Sequence, residues 1–103
     1  MIYTVTISCP SINNSRTLAS LAIEEKLVAC AQIIPEVESH FVWEGKLNIE
    51  NESLVIFKTI ESKLEGLEKL IIAEHPYDTP EIIIVKADKV AEGYQKWCEE
   101  SLS

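Results

Sequence analysis

Apolar and polar positions along the chain repeat with two different periods, and the changes between them predict the order of the elements. Apolar and β-branched residues alternate over residues 2–7 and predict a first strand, whereas helical spacing of apolar residues predicts a helix over residues 13–26. Two apolar runs, residues 28–43 and 46–60, predict strands joined by a tight turn at residues 44–45, where a glycine tolerates positive φ.

Proline and polar residues mark where these elements bend, begin and end. Pro35 predicts a bulge or an edge position within the second strand. Ser62 and Glu65 form a capping-box pattern, which predicts that a second helix begins with Ser62 as its N-cap. His75 precedes a proline, which disfavours helix, so the second helix is predicted to end there. Its predicted core-facing residues are Leu64, Leu67, Leu70 and Ile71.

A short strand over residues 81–86 and a final helix over residues 91–102 complete the order β-α-β-β-α-β plus a C-terminal helix. This order predicts one α+β domain of the ferredoxin-like type, with helices packed on one face of a mostly antiparallel sheet. The other face of such a sheet is normally wet and its strands alternate, yet residues 54–57 and 82–85 are continuously apolar. The second face is therefore predicted to be covered by other subunits of a homo-oligomer.

Charge and cysteine content limit the partners and the compartment. The formal net charge is −8, from 17 acidic and 9 basic residues, which opposes nucleic acid and anionic membranes and attracts cations. Three cysteines without a C-x-x-C pair fit no closed disulfide framework and favour a reducing cytoplasm, and neither a signal peptide nor a transmembrane segment is visible. The common nucleotide-binding and hydrolase motifs are missing, so an enzyme is not supported.

Cysteine and histidine supply the candidate ligands for a soft metal ion. Cys9, Cys30 and His75 could offer two thiolates and an imidazole, a set that suits copper or zinc. Two of them also have a simpler structural interpretation: Cys30 as a small buried apolar residue and His75 as a helix-end residue.

Two polar stretches, residues 43–46 and 75–81, are predicted to fall at corners of the sheet, where side chains of different elements can converge. Lys58 directly continues an apolar run. It either reaches solvent at the end of its strand or pairs with a carboxylate such as Glu44 or Glu81. These stretches are where a function is expected.

Seven co-linear motifs between about residues 2 and 102 resemble the divalent-cation tolerance protein CutA family. The resemblance implies a ferredoxin-like fold assembled into a tight homotrimer, similar to the PII nitrogen-signalling proteins. The motifs are Glu25-Lys26-Leu27-Val28-Ala29-Cys30, Ile33-Ile34-Pro35, Trp43-Glu44-Gly45-Lys46, Lys58-Thr59, His75-Pro76-Tyr77, Pro80-Glu81, and Tyr94 with Trp97.

The resemblance leaves two functions open. In the first, a cytoplasmic trimer binds copper or another divalent cation in metal tolerance, with Cys9 and His75 matching the family's copper ligands and Cys30 as a further candidate. Glu74 stands where some relatives carry a second histidine. In the alternative, a PII-like sensor holds a small anionic ligand in the cleft between subunits and reports it to a protein partner. The residues predicted to line that cleft are Trp43, Glu44, Lys58, Tyr77 and Glu81.

Overall fold

The computed structural model describes all residues from Met1 to Ser103, and it confirms the predicted order of elements. One turn of 3-10 helix (Glu61–Lys63) precedes α2. The strands form one antiparallel sheet in the order β2-β3-β1-β4, which is the ferredoxin-like arrangement. The elements are β1 (Ile2–Cys9), α1 (Ile12–Glu24), β2 (Cys30–Trp43), β3 (Lys46–Ile60), α2 (Leu64–Glu74), β4 (Ile82–Lys86) and α3 (Glu92–Ser101).

The core lies between one face of the sheet and the helices α1 and α2. Side chains alternate across a strand, so every second residue of β1 and β3 points to this face. Each of these apolar side chains contributes roughly 1.5–3 kcal/mol when it is fully buried. The predicted α2 residues Leu67 and Ile71 are buried here, and Leu64 and Leu70 pack against the core. The core includes Val5, Ile7, Leu18, Ala22, Val55, Phe57, Leu67 and Ile71.

The third helix, α3, covers part of the opposite face. Its Cys98 is buried beside Cys30 and Lys58, which pair with each other across β2 and β3 and alternate with core-facing residues. Ile2, on the same face, is almost fully buried. At this end the second cover therefore comes from the chain itself, whereas the cover by other subunits predicted for residues 54–57 and 82–85 stays a prediction. Farther along the face, Ile83 remains 53% exposed.

Strands β2 and β3 form a ribbon that runs beyond the rest of the sheet. β1 pairs with β3 only from Ser53 onward, so residues 46–52 pair with β2 alone. The register of the ribbon shifts between Ile34 and Val37, which confirms the bulge predicted at Pro35. At the tip, Glu44 and Gly45 both have positive φ, 52° and 78°, as a two-residue hairpin turn of type I′ requires.

The predicted start of α2 is wrong, whereas its predicted end is confirmed. Ser62 and Lys63 of the capping-box pattern lie in the 3-10 turn instead, Lys63 is the N-cap, and no side chain caps the helix. Ser62 therefore lies inside that turn. His75 ends α2 in an extended conformation, as the following proline predicts.

Candidate functional site

A cleft of about 1000 Å³ opens between the β2–β3 ribbon and the loop of residues 75–81. It lies on the sheet face opposite α1 and α2, because Ser8 and Glu52 line it while their neighbours Cys9 and Ser53 are buried on the helix side. Trp43 comes from one of the predicted corner stretches, and the other stretch supplies the far wall. The predicted convergence of the two corners is confirmed for Trp43 alone of the first stretch, since Glu44, Gly45 and Lys46 do not line the cleft.

The cleft is acidic, and we call it the acidic cleft. Four carboxylates line it, no lysine or arginine does, and His40 is the only side chain there that can become positive. Burial, together with the nearby charge of Glu52, raises the pKa of the Glu81 carboxyl. A concave surface of one charge sign concentrates ions of the opposite sign. The four carboxylates belong to Glu50, Glu52, Asp78 and Glu81.

Tyr77 joins the two walls of the acidic cleft. Its hydroxyl donates a hydrogen bond of 2.9 Å to Glu52 Oε2 on the ribbon. Burial, this hydrogen bond and the charges of Glu52 and Glu50 raise the pKa of Tyr77 to about 12. Tyr77 is therefore protonated at neutral pH and acts as a fixed donor.

His75 is buried beneath the loop, and both of its ring nitrogens have partners. Nδ1 accepts a hydrogen bond of 3.1 Å from the backbone N–H of Tyr77, which places the proton on Nε2. Nε2 donates to the carbonyl of Ser8 at 2.7 Å. His75 thus fastens the loop to the end of β1, and neither nitrogen has a free lone pair for a metal ion.

Cys9 is fully buried on the helix side of β1. Burial raises the pKa of its thiol and outweighs the opposing hydrogen bond with Ser15. The Ser15 hydroxyl shares a second hydrogen bond with Ser53, which also donates to the Ser11 carbonyl at 3.1 Å. Cys9 has no exposed surface, so as folded it is a structural thiol that a metal ion cannot reach.

Cys30 lies far from Cys9 and His75. It faces α3 on the opposite side of the sheet and pairs with Lys58, whereas Cys9 pairs with Ser53. Five residues of β3 correspond to about 17 Å. No group of three or more histidine, cysteine, aspartate or glutamate side chains is placed to hold a metal ion. One chain therefore does not assemble the predicted site of Cys9, His75 and Cys30, and these residues as folded do not fit a copper centre.

The predicted anion-binding residues are also only partly brought together. Trp43, Tyr77 and Glu81 line the acidic cleft, but Glu44 lies in the hairpin turn and Lys58 lies near α3. Lys58 Nζ donates to Gln32 Oε1 and forms no ion pair, so of the two alternatives left open for Lys58 the pairing with a carboxylate is not formed. Without Lys58, the cleft of one chain has no fixed positive charge for an anion.

The family model described as CutA1 divalent ion tolerance protein matches residues 3–101. The chain belongs to this family. Protein CutA, chloroplastic, of Arabidopsis thaliana is 37% identical over 97 residues, covering 94% of this chain and 53% of the relative. The divalent-cation tolerance protein CutA of Escherichia coli O9:H4 (strain HS) is 36% identical over 98 residues, covering 95% and 88%. The chain spans about half the length of the plant relatives that it matches.

Solved CutA1 structures share the whole fold. CutA1 from Oryza sativa superposes with a TM-score of 0.94 at 36% identity, covering 99% of this chain and 94% of that chain. The divalent cation tolerance protein from Thermus thermophilus gives 0.95 at 32% identity, covering all of both chains. The ferredoxin-like fold of this CutA1 family member is thereby established.

Several residues that line the cleft of this CutA1 family member lie outside the sequence motifs and were not predicted. Ser8, His40, Glu50 and Glu52 belong to no predicted site. The available signal is the polar segment of residues 50–52 inside an otherwise apolar strand. This polar segment indicates an interruption of the strand. In the structure β3 continues through the segment, and the side chains of Glu50 and Glu52 line the cleft.

Proposed function

We propose that this CutA1 family member acts in divalent ion tolerance by binding divalent cations, copper first, in the acidic cleft. One observation carries the proposal: four carboxylates and one imidazole line a single cleft that contains no lysine or arginine. The family is named for divalent ion tolerance and not for a catalytic activity, which supports a non-enzymatic role. Among first-row divalent ions, Cu²⁺ binds most tightly to sites with nitrogen and oxygen donors.

No preformed metal centre is present, so cation binding in the acidic cleft requires its side chains to move toward one another. Glu50, Asp78 and Glu81 are exposed and can change rotamer toward a bound ion. Partial burial and, after it, repulsion from Glu52 raise the pKa of the Glu81 carboxyl. A divalent cation between these two carboxylates would replace the repulsion by attraction, which favours binding.

The set of Cys9, His75 and Cys30 remains a prediction for metal ligands that requires a change of structure. His75 would have to give up one of its two hydrogen bonds, and Cys9 would have to lose its proton. The cleft of a single chain does not favour an anionic ligand, because its charged side chains are mainly carboxylates.

The assembly we propose is a homotrimer. Ile34, Ile83 and Val85 leave an apolar strip exposed on the sheet face that α3 does not cover, and Val42 and Leu47 are about 70% exposed on the ribbon. Contact with other copies of the chain would bury these side chains.

The compartment we propose is the cytoplasm, which agrees with three free cysteines. Two plant relatives are named chloroplastic, and one solved relative, from Archaeoglobus fulgidus, is named periplasmic. No helix of this chain has the length and apolar character needed to cross a membrane.

Isothermal titration calorimetry with Cu²⁺ and Zn²⁺ tests the proposed site. The double variant Glu52→Gln, Glu81→Gln is expected to lose most of the binding heat. The matched control Glu65→Gln, Glu68→Gln removes the same charge from the exposed surface of α2 and is expected to bind as the wild type does. Unchanged binding by the cleft variant, together with loss in Cys9→Ser, would move the site to the buried thiol.

A further inference from the structure

The acidic cleft is lined by aromatic rings as well as by carboxylates. Residues directly opposite each other in the ribbon, and every second residue along each strand, share a face, which places Phe41 and Trp43 of β2 on the same face as Glu50 and Glu52 of β3. All four line the cleft, whereas Lys46, opposite Trp43 at the tip, does not. This wall therefore offers negative charge toward the body of the sheet and aromatic surface toward the hairpin tip.

Tyr77 supplies a third ring from the opposite wall, and three contacts hold it in place. Its hydroxyl lies 2.9 Å from Glu52 Oε2, and its backbone N–H donates to His75 Nδ1 at 3.1 Å. The centroid of its ring lies 4.9 Å from the centroid of the His75 imidazole. A wall that is fixed before a ligand arrives reduces the conformational entropy that is lost on binding.

The four carboxylates of the cleft are not neutralised within the chain. None of them takes part in an ion pair, and no three acidic, histidine or cysteine side chains are grouped around one point. Glu50 and Glu52 lie about 7 Å apart along β3, and Asp78 and Glu81 belong to the other wall. Charge distributed in this way matches, without movement of side chains, a ligand whose positive charges are spaced along a chain.

We infer that the acidic cleft binds linear aliphatic polyamines, with ammonium groups at the carboxylates of both walls and methylene groups against Phe41, Trp43 and Tyr77. Ammonium groups are attracted to aromatic faces, and contact between methylene groups and rings removes apolar surface from water. The cleft volume of about 1000 Å³ is at the upper end for small-ligand sites and admits an extended chain. The inference goes beyond the proposed function and does not rest on it, because amine binding requires no metal ion.

Isothermal titration calorimetry with spermidine tests the inference, on protein freed of metal ions by dialysis against a chelator and then against plain buffer. The matched control ligand is hexaamminecobalt(III), which carries the same positive charge as spermidine on a compact ion without methylene groups. We expect one spermidine per chain, bound at least about tenfold more tightly than the cobalt complex. Equal affinities would show attraction to the net charge of −8 alone and would overturn the inference.

Trp43→Ala is expected to weaken spermidine binding about fivefold, because one aromatic face is lost. Trp43 is 62% exposed, so the substitution leaves the core intact, and circular dichroism checks the fold. The matched control, Trp97→Ala, removes a ring that is 48% exposed on α3 and does not line the cleft, and it is expected to keep the wild-type affinity. Equal affinities of the two variants would overturn the inference.

The double variant Glu50→Gln, Glu81→Gln removes one carboxylate from each wall and is expected to weaken spermidine binding about tenfold. The matched control Glu65→Gln, Glu68→Gln removes the same charge from the exposed surface of α2 and is expected to change the affinity less than about twofold. An equal loss in both double variants would show that net charge, and not the cleft, attracts the amine, which overturns the inference.

Fluorescence gives a second measurement that keeps the whole cleft intact. Trp97→Phe leaves Trp43 as the only tryptophan of the chain. Saturating spermidine is expected to shift the Trp43 emission to shorter wavelength, because the methylene chain displaces water from the ring. An emission maximum that does not move would overturn the inference.

Two further titrations separate the inference from its alternatives. A lysine tripeptide carries the same kind of ammonium groups on a peptide backbone, and tighter binding of the tripeptide than of spermidine would assign the cleft to a protein segment and overturn the inference. Titration of the wild type with Cu²⁺ and Zn²⁺ tests the proposed function separately. Spermidine binding without metal binding would overturn only the proposed function, and metal binding without spermidine binding would overturn only the inference.

Discussion

The Tyr77 hydroxyl donates a hydrogen bond to Glu52 Oε2 across the acidic cleft, with 2.9 Å between the two oxygens. The backbone of Tyr77 is fixed as well, since its N–H donates a hydrogen bond to His75 Nδ1. Tyr77 therefore connects the ribbon, the loop and the end of β1. Changes at this residue should act on the shape of the cleft more than on the core.

Tyr77→Phe is expected to lower the free energy of unfolding by about 0.5–1 kcal/mol. A hydrogen bond to a charged acceptor is worth more when buried, but Tyr77 is 38% exposed and water competes for Glu52. Urea denaturation followed by circular dichroism measures the difference. In the same variant, hydrogen exchange of residues 76–81 should become faster while exchange in β1 stays unchanged. A loss above about 3 kcal/mol would show that Tyr77 supports the core.

His75→Ala is expected to cost about 3 kcal/mol of stability. The side chain is only 7% exposed, and its removal leaves the Ser8 carbonyl and the Tyr77 N–H without their partner. His40→Ala is the matched control, because His40 is exposed and makes only a 3.5 Å contact with Glu38. Its effect should stay within about 0.5 kcal/mol. Equal urea midpoints for the two variants would contradict the structural role of His75.

Local features of the fold could be predicted because they depend on neighbouring residues. Pro35 lacks an N–H and Gly45 accepts positive φ, so the bulge and the hairpin turn follow from single positions. The start of α2 could not be predicted in this way. The capping-box pattern at Ser62 depends on a local side-chain hydrogen bond, but no side chain caps α2 and Ser62 lies in a 3-10 turn, so packing of the whole helix sets where it begins.

Which residues make up each site depends on how distant strands of the chain pair with one another. No local sequence pattern contains that information. Cys9 and Cys30 look equivalent as ligands, yet the pairing of β1 and β2 with β3 sends them to opposite faces. Lys58 ends an apolar run and is predicted to line a cleft between subunits, and within one chain the docking of α3 places it near Cys98. Glu50 joins the cleft through its pairing with Ser39 beyond the bulge, which depends on the register after Pro35.

Ile83→Asp is expected to convert the proposed trimer to a folded monomer. Ile83 is 53% exposed on the open sheet face, so a charge there does no harm to the isolated chain but opposes burial between subunits. Sedimentation velocity gives the mass, and circular dichroism checks the fold. Ile72→Asp, at a position that is 58% exposed on α2, is the matched control and should remain trimeric. A trimeric Ile83→Asp, or a monomeric wild type, would exclude assembly through this face.

Glu81→Gln is expected to raise the free energy of unfolding at pH 7 by up to about 1 kcal/mol, a small value because the carboxyl is largely exposed. Burial, and then the charge of Glu52, raises the pKa of Glu81 above its ordinary 4.5 in the folded chain. The protonated form is therefore favoured by folding: its contribution is complete below pH 4.5 and is lost as the pH rises through the folded pKa.

The gain from Glu81→Gln should accordingly be present at neutral pH and vanish below pH 4.5, where the wild-type carboxyl is protonated in both states. Urea unfolding of both proteins across this range measures the difference directly, since other titrating groups cancel. Glu65→Gln is the control; it breaks the 3.2 Å ion pair with Lys69 and should slightly destabilise at pH 7. A Glu81→Gln variant less stable than the wild type at pH 7 would show that the Glu81 carboxylate is held by a favourable partner instead of repelled by Glu52.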